Sequence, residues 1–302
     1  MEFRSDTKLA HIGAVGEVFL AAAIWSSSFI GVKFVLQYTG ALTLAGLRYF
    51  IAFLILLPLL FRFGKSNLPL SGGQWRRLVL MGVSQYTIGN GALFLALRTL
   101  PATTGSLVIC ISPIPILVLS SFLLKERPGR LQLLGIVIAV GGSLAFFLPG
   151  LDPADWTGLG FLGLAVLGFS LFPVLARGFA RTQAVGNIVL TAIPLGIGGG
   201  LLVIIAGFTE GVPQIPLTGW GVIMGLAIVN TVIGYLLYNH ALRRLTAVEA
   251  AVILNLSPLG TALIAWRTLG ERLTPLQLGA IFVVIVGASL VQRRRPVETP
   301  RP

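Results

Sequence analysis

The chain has 302 residues, of which 55% are hydrophobic and 11% charged, and its mean hydropathy is +0.92. Soluble domains carry about 25% charged residues, so this composition leaves too little polar material for a water-facing surface and reads as an integral membrane protein. The net charge of +12 lies in short loops between apolar runs, where it reads as a topology signal rather than a nucleic-acid footprint.

A membrane-crossing helix needs about 20 apolar residues. Ten runs qualify, at about 13–36, 41–61, 76–97, 102–124, 131–149, 157–176, 185–208, 217–242, 246–268 and 273–291. They are too long for barrel strands, so the expected fold is an all-α polytopic membrane protein. The longest interruption, Arg62 to Arg76, leaves no room for a soluble domain.

The first run carries Glu17, then Trp25-Ser26-Ser27-Ser28-Phe29, and closes on Lys33. Ala21-Ala22-Ala23 gives it a leader-like patch, but its length reads as a spanning helix. The second run holds Arg48, roughly 10 Å along the helix at 1.5 Å per residue. Arg48 has three readings: it snorkels to water, pairs with a backbone carbonyl, or attracts a substrate carboxylate. The third run places Tyr86 and Asn90 four apart, hence on one α-helical face, beside Ser84 and Gln85. Ser112-Pro113 and Pro115 interrupt the fourth run and should kink it.

Phe169-Ser170 sits in the sixth run, in the place that Trp25-Ser26 takes in the first. The eighth run brings Asn230 and Thr231, with Tyr235 and Tyr238 following Thr231 at helical spacing. Ser257-Pro258 repeats the Ser-Pro kink in the ninth. Polar groups at this depth face a cavity or glue helices together, and both readings stand for each residue. As a cavity lining, the rings would stack on an apolar or aromatic substrate, and the hydroxyls and amides would hydrogen-bond its polar ends. Glu17, His240 and Glu249 fall near helix ends, as proton carriers or as interfacial side chains reaching water.

The loop cations set an orientation. With the N-terminus in the cytoplasm, only Lys33, Arg98, Arg267 and Arg272 lie outside and Arg48 lies within a span; the remaining Lys and Arg lie inside. Both termini are therefore expected in the cytoplasm.

Shifted by 145 residues, the chain matches itself. Ile88-Gly89 meets Ile233-Gly234, Ala96-Leu97-Arg98 meets Ala241-Leu242-Arg243, Ser112-Pro113 meets Ser257-Pro258, and Glu126-Arg127 meets Glu271-Arg272. At a shift of 144, Lys33 meets Arg177. An odd number of spans per half makes the halves inverted, as in many secondary carriers. The expected units are 13–149 and 157–291.

These motifs, in this order and doubled, resemble the drug/metabolite transporter superfamily, in particular its EamA branch. They are Trp25-Ser26-Ser27-Ser28-Phe29 with Lys33, Leu47-Arg48-Tyr49-Phe50, and the paired Ala-Leu-Arg, Ser-Pro and Glu-Arg. The resemblance covers nearly the whole chain. It implies a ten-helix bacterial inner-membrane carrier of two inverted five-helix repeats, with a cavity lined by runs 1, 3, 4, 6, 8 and 9. It further implies a small-molecule substrate, with amino-acid exporters of the YddG type, favouring aromatic substrates, as the sub-type. The expected substrate-binding set is Trp25, Ser26, Tyr86, Asn90, Phe169, Ser170, Asn230, Thr231, Tyr235 and Tyr238, with Pro113 and Pro258 as gate positions.

The rival readings are a carrier of a drug or sugar derivative, and an intramembrane enzyme. The enzyme would need a nucleophile with a base, or a metal cluster, and the runs hold neither at recognisable spacing. No cofactor or metal is expected: Cys110 is the single cysteine, and His11 and His240 belong to no metal-binding helix motif. Gly158, Gly160 and Gly163 mimic a dinucleotide fingerprint, but no strand precedes them. A monomer is the simplest state for such a carrier.

Overall fold

The computed structural model describes residues 2–63, 70–100, 105, 110–126, 128–147, 155–183, 185–269 and 274–292. Lys65, Arg127, the Glu271-Arg272 pair and the C-terminal arginines lie outside the described residues. No strand occurs among those described, and the protein is a polytopic membrane protein.

The helices follow the apolar runs. They are α1 (Glu2–Val35), α2 (Ala41–Phe63), α3 (Gly72–Thr99), α4 (Pro113–Leu123), α5 (Arg130–Phe147), α6 (Trp156–Thr182), α7 (Asn187–Thr209), α8 (Leu217–Ala241), α9 (Ala247–Leu254 continued by Ser257–Leu269) and α10 (Pro275–Gln292). Seven are long and apolar enough to cross a membrane, while Pro113–Leu123, Arg130–Phe146 and Pro275–Val291 are shorter apolar helices. Most of the N-terminal half of run 4 lies outside the described residues.

The burial pattern inverts that of a soluble protein. Phe122, Leu167, Phe208 and Phe282 are exposed, whereas Ser26, Ser170, Thr191, Asn230, Asn239 and Asn255 are buried. An apolar exterior suits hydrocarbon, and the buried polar groups, Ser170 apart, hydrogen-bond between helices.

Helix ends are closed locally. Ser71 and Gln74 form a capping box at the start of α3, as Thr246 and Glu249 do at α9. Glu210, just past α7, caps α2 from across the fold: its carboxylate accepts from the backbone N–H of Leu42 (3.1 Å) and Thr43 (2.8 Å) and from the Thr43 hydroxyl. Gly40 leaves room for that carboxylate, which a Cβ there would strike.

The chief packings are α2 on α7, α5 on α10, α1 on α8 and α9, and α3 on α6 and α7. Glycine permits the closest crossings. A Cβ on Gly168 of α6 would lie 2.5 Å from the Gly89 nitrogen of α3, and one on Gly82 would lie 2.8 Å from the Pro194 carbonyl of α7. Close approach of this kind accounts for Gly196, Gly198, Gly199, Gly142 and Gly287, whereas Gly141, Gly160, Gly163 and Gly279 face open space.

Two features bend the regular pattern. Residues Val83–Asn90 of α3 and Leu226–Ile233 of α8 are π-helical. A π turn widens the ring to i→i+5 and loosens some carbonyls. Side chains take them up: Asn90 Nδ2 donates to the Gln85 carbonyl (2.8 Å), and the Thr231 hydroxyl to the Leu226 carbonyl (2.9 Å).

The second feature lies at the Ser-Pro steps, which are breaks rather than kinks. The helical trace is interrupted at Ser112, and α4 starts at Pro113, where a missing N–H costs nothing. Helix α9 stops at Leu254 and restarts at Ser257, and Pro258 has no N–H for the Leu254 carbonyl. Asn255 Nδ2 donates to the Cys110 carbonyl at 3.4 Å, tying the two breaks together.

Candidate functional site

A cavity opens between α1, α2, α3, α4, α6, α8 and α9. The aromatic residues Trp25, Phe29, Tyr49, Phe94, Phe169, Phe172, Tyr235 and Tyr238 dominate its lining, with Ser28, Arg48, Gln85, Asn90 and Ser112 as the polar groups. Pockets for small molecules have this make-up, apolar walls with a few placed polar groups.

One wall is a chain of aromatic contacts. Trp25 lies 5.0 Å from Tyr235 and 5.6 Å from Tyr238, centroid to centroid. Its indole N–H donates to the Asn230 carbonyl at 2.7 Å, fixing the ring across the α1–α8 contact. Tyr235 accepts from Gln85 Nε2 at 2.8 Å, and the Tyr49 hydroxyl donates to Asn90 Oδ1 at 2.6 Å. The lining of α3 is thereby hydrogen-bonded to both α2 and α8.

Arg48 is buried in this wall and lines the cavity, so it does not snorkel. Its Nε donates to the Thr231 hydroxyl at 2.9 Å and its Nη1 to the Ser28 hydroxyl at 2.7 Å. The guanidinium carbon sits 5.1 Å from the centre of the Tyr49 ring and 6.0 Å from that of Phe94. Among the described residues the ion pairs are Arg177–Glu126 and His240–Glu17, so no carboxylate pairs with Arg48.

The expected binding residues divide into lining and frame. Trp25, Asn90, Phe169, Tyr235 and Tyr238 line the cavity. Tyr86 does not: the π segment rotates the α3 face, so the pair five apart, Gln85 and Asn90, lines the cavity in place of the pair four apart. Tyr86 is buried behind them, 4.9 Å from Tyr49, 5.3 Å from Tyr235 and 5.9 Å from Phe172.

Ser26, Ser170, Asn230 and Thr231 also lie off the lining, because neighbouring groups already hold their side chains. Ser26 donates to the Ala22 or Ser257 carbonyl (2.8 Å each), Ser170 to the Val166 carbonyl (2.5 Å), and Asn230 to the Ile24 carbonyl (2.5 Å). Thr231 holds Arg48. The sequence reading did not count Tyr49, Phe94 or Phe172 as lining and left α2 out of the lining runs, although it set Gln85 in the polar patch and gave Arg48 a substrate-facing reading; the Arg48-Tyr49 step was the available signal.

The charged residues near helix ends are partnered. Glu17 on α1 meets His240 Nδ1 on α8 at 2.8 Å. Glu249 accepts from the Thr246 backbone N–H at 2.8 Å as part of its cap. Glu126, beyond α4, pairs with Arg177 of α6 at 3.1 Å, and Arg177 Nη1 donates to the Leu242 carbonyl at 2.7 Å. No group of three or more His, Cys, Asp or Glu forms a metal site among the described residues.

A multi-pass helical membrane protein enclosing an aromatic cavity is the class this geometry defines. The model of the EamA-like transporter family matches residues 14–148 and again 156–293. The chain belongs to that family. It is 26% identical to a probable amino-acid metabolite efflux pump of Salmonella typhimurium, over 89% of this chain and 91% of that protein. It is 27% identical to the protein PecM of Dickeya dadantii, over 93% and 94%. It is also similar to an uncharacterized transporter, YyaM, of Bacillus subtilis, at 26% identity over 84% and 85%. A solved crystal structure shares the fold with a TM-score of 0.77 at 19% identity, covering 92% of this chain and 97% of that one.

Proposed function

We propose that this transporter exports small amphiphilic metabolites, amino acids with aromatic members favoured, across a bacterial inner membrane by alternating access. The observation that carries this reading is the cavity, with eight aromatic rings and a few hydrogen-bonding groups in its lining. The rings suit an aromatic side chain, and the hydrogen-bonding groups suit its polar end. The similarity to a relative named as a probable amino-acid metabolite efflux pump supports the same class.

Two inverted units, 13–149 and 157–291, would rock around the cavity with both termini in the cytoplasm. Support comes from the family model, which matches twice, and from the way helices five apart, α2 with α7 and α5 with α10, pack together. The helix breaks beside Pro113 and Pro258 flank the cavity and suit elements that bend between the two open states.

Purified protein in liposomes loaded with radiolabelled amino acids tests the reading. Aromatic amino acids should leave faster than from protein-free vesicles. If no amino acid does, the amino-acid assignment fails.

A further inference from the structure

We infer that Arg48 is the anchor for a carboxylate, and that the site selects aryl carboxylates whether or not they carry an amino group. This rests on the proposed aromatic-metabolite reading and names the chemical group the site recognises. A guanidinium carries five N–H donors. Among the described residues its hydrogen bonds run through Nε and Nη1 alone, with neutral hydroxyls as acceptors, beside the Tyr49 and Phe94 rings. Nη2 has no protein hydrogen bond among the described residues, and the residue lines the cavity.

A buried cation without a counter-charge is costly, and a carboxylate entering the cavity would supply one with fork-shaped geometry. Ser28 and Thr231 hold the fork from α1 and α8, the two helices that also carry Trp25, Tyr235 and Tyr238. A ligand gripped at Arg48 would thus lay its ring along that aromatic wall.

The cavity offers an ammonium group aromatic faces and neutral acceptors but no counter-charge, since no Asp or Glu is among its described lining residues. The carboxylate is therefore the required group and the amino group is dispensable. Amides and amines of the same ring system lack the anion and meet the like charge of Arg48.

The test is thermal unfolding of the purified, detergent-solubilised protein with four probes: L-phenylalanine, 3-phenylpropionate, L-phenylalaninamide and phenethylamine. The two carboxylates should raise the midpoint in a saturable way, and the amide and amine should not. In Arg48→Gln the carboxylates should bind roughly tenfold to a hundredfold more weakly, with Arg48→Lys in between. The wild-type comparison decides the matter even if Arg48→Gln does not fold. If L-phenylalaninamide stabilises as well as L-phenylalanine, the carboxylate inference is overturned while the aromatic-transporter reading stands. If no probe binds, the inference also falls, and liposome flux over the wider amino-acid panel separately decides the transport reading.

Discussion

Tyr86 and Tyr235 touch, with ring centroids 5.3 Å apart, yet they face different surroundings. Tyr235 presents its ring to the cavity, whereas Tyr86 fills the wall behind. The two alanine variants should therefore separate. Tyr235→Ala should reduce aromatic-substrate flux at least tenfold with a smaller loss of stability than Tyr86→Ala. Tyr86→Ala should empty a packed site and lose about 3 kcal/mol of stability. Fluorescence-detected unfolding beside liposome flux checks both, and equal stability losses would contradict the assignment. Arg48 illustrates how far single residues were legible. Its depth in a span follows from counting, but its direction depends on Ser28 and Thr231, which come from other helices. No local pattern encodes that meeting.

At the scale of the helix, each apolar run returns as a helix among the described residues, seven of them long and apolar enough to cross a membrane and three shorter, because length and hydropathy set where a span can form. A disruption at the Ser-Pro steps was legible as well, since a missing N–H is written in the residue type, although the expected kinks appear as breaks. The π segments were not, because i→i+5 turns have no distinct side-chain requirement, and the i, i+4 rule then put Tyr86 on the wrong face. Helix starts bear on function too. Glu249 closes the capping box of α9, a role that glutamine fills equally. Glu249→Gln should therefore keep both transport and stability, while Thr246→Val should lose about 1 kcal/mol. A transport defect in Glu249→Gln with normal unfolding would make it a proton carrier instead.

Across the whole molecule, the cavity holds one cation and no partner carboxylate among the described residues. That imbalance makes the empty and loaded carriers electrically different. An aryl carboxylate without an amino group would neutralise Arg48, so the protein loaded with it would turn over without moving charge. The empty protein would carry its positive charge with it, and a potential negative inside would draw the unloaded cavity toward the cytoplasm. The potential acts on one charge with about 2.3 kcal/mol per 100 mV, which corresponds to roughly a fiftyfold bias in orientation. Export of such an anion would then draw on the voltage, with the return stroke as the driven step, whereas a zwitterionic amino acid would bring its own ammonium charge and gain nothing from the potential. In liposomes clamped by potassium and valinomycin, efflux of 3-phenylpropionate should accelerate as the interior is made negative and slow as it is made positive. A flux that ignores the clamp and follows an imposed pH gradient would place the coupling elsewhere in the protein.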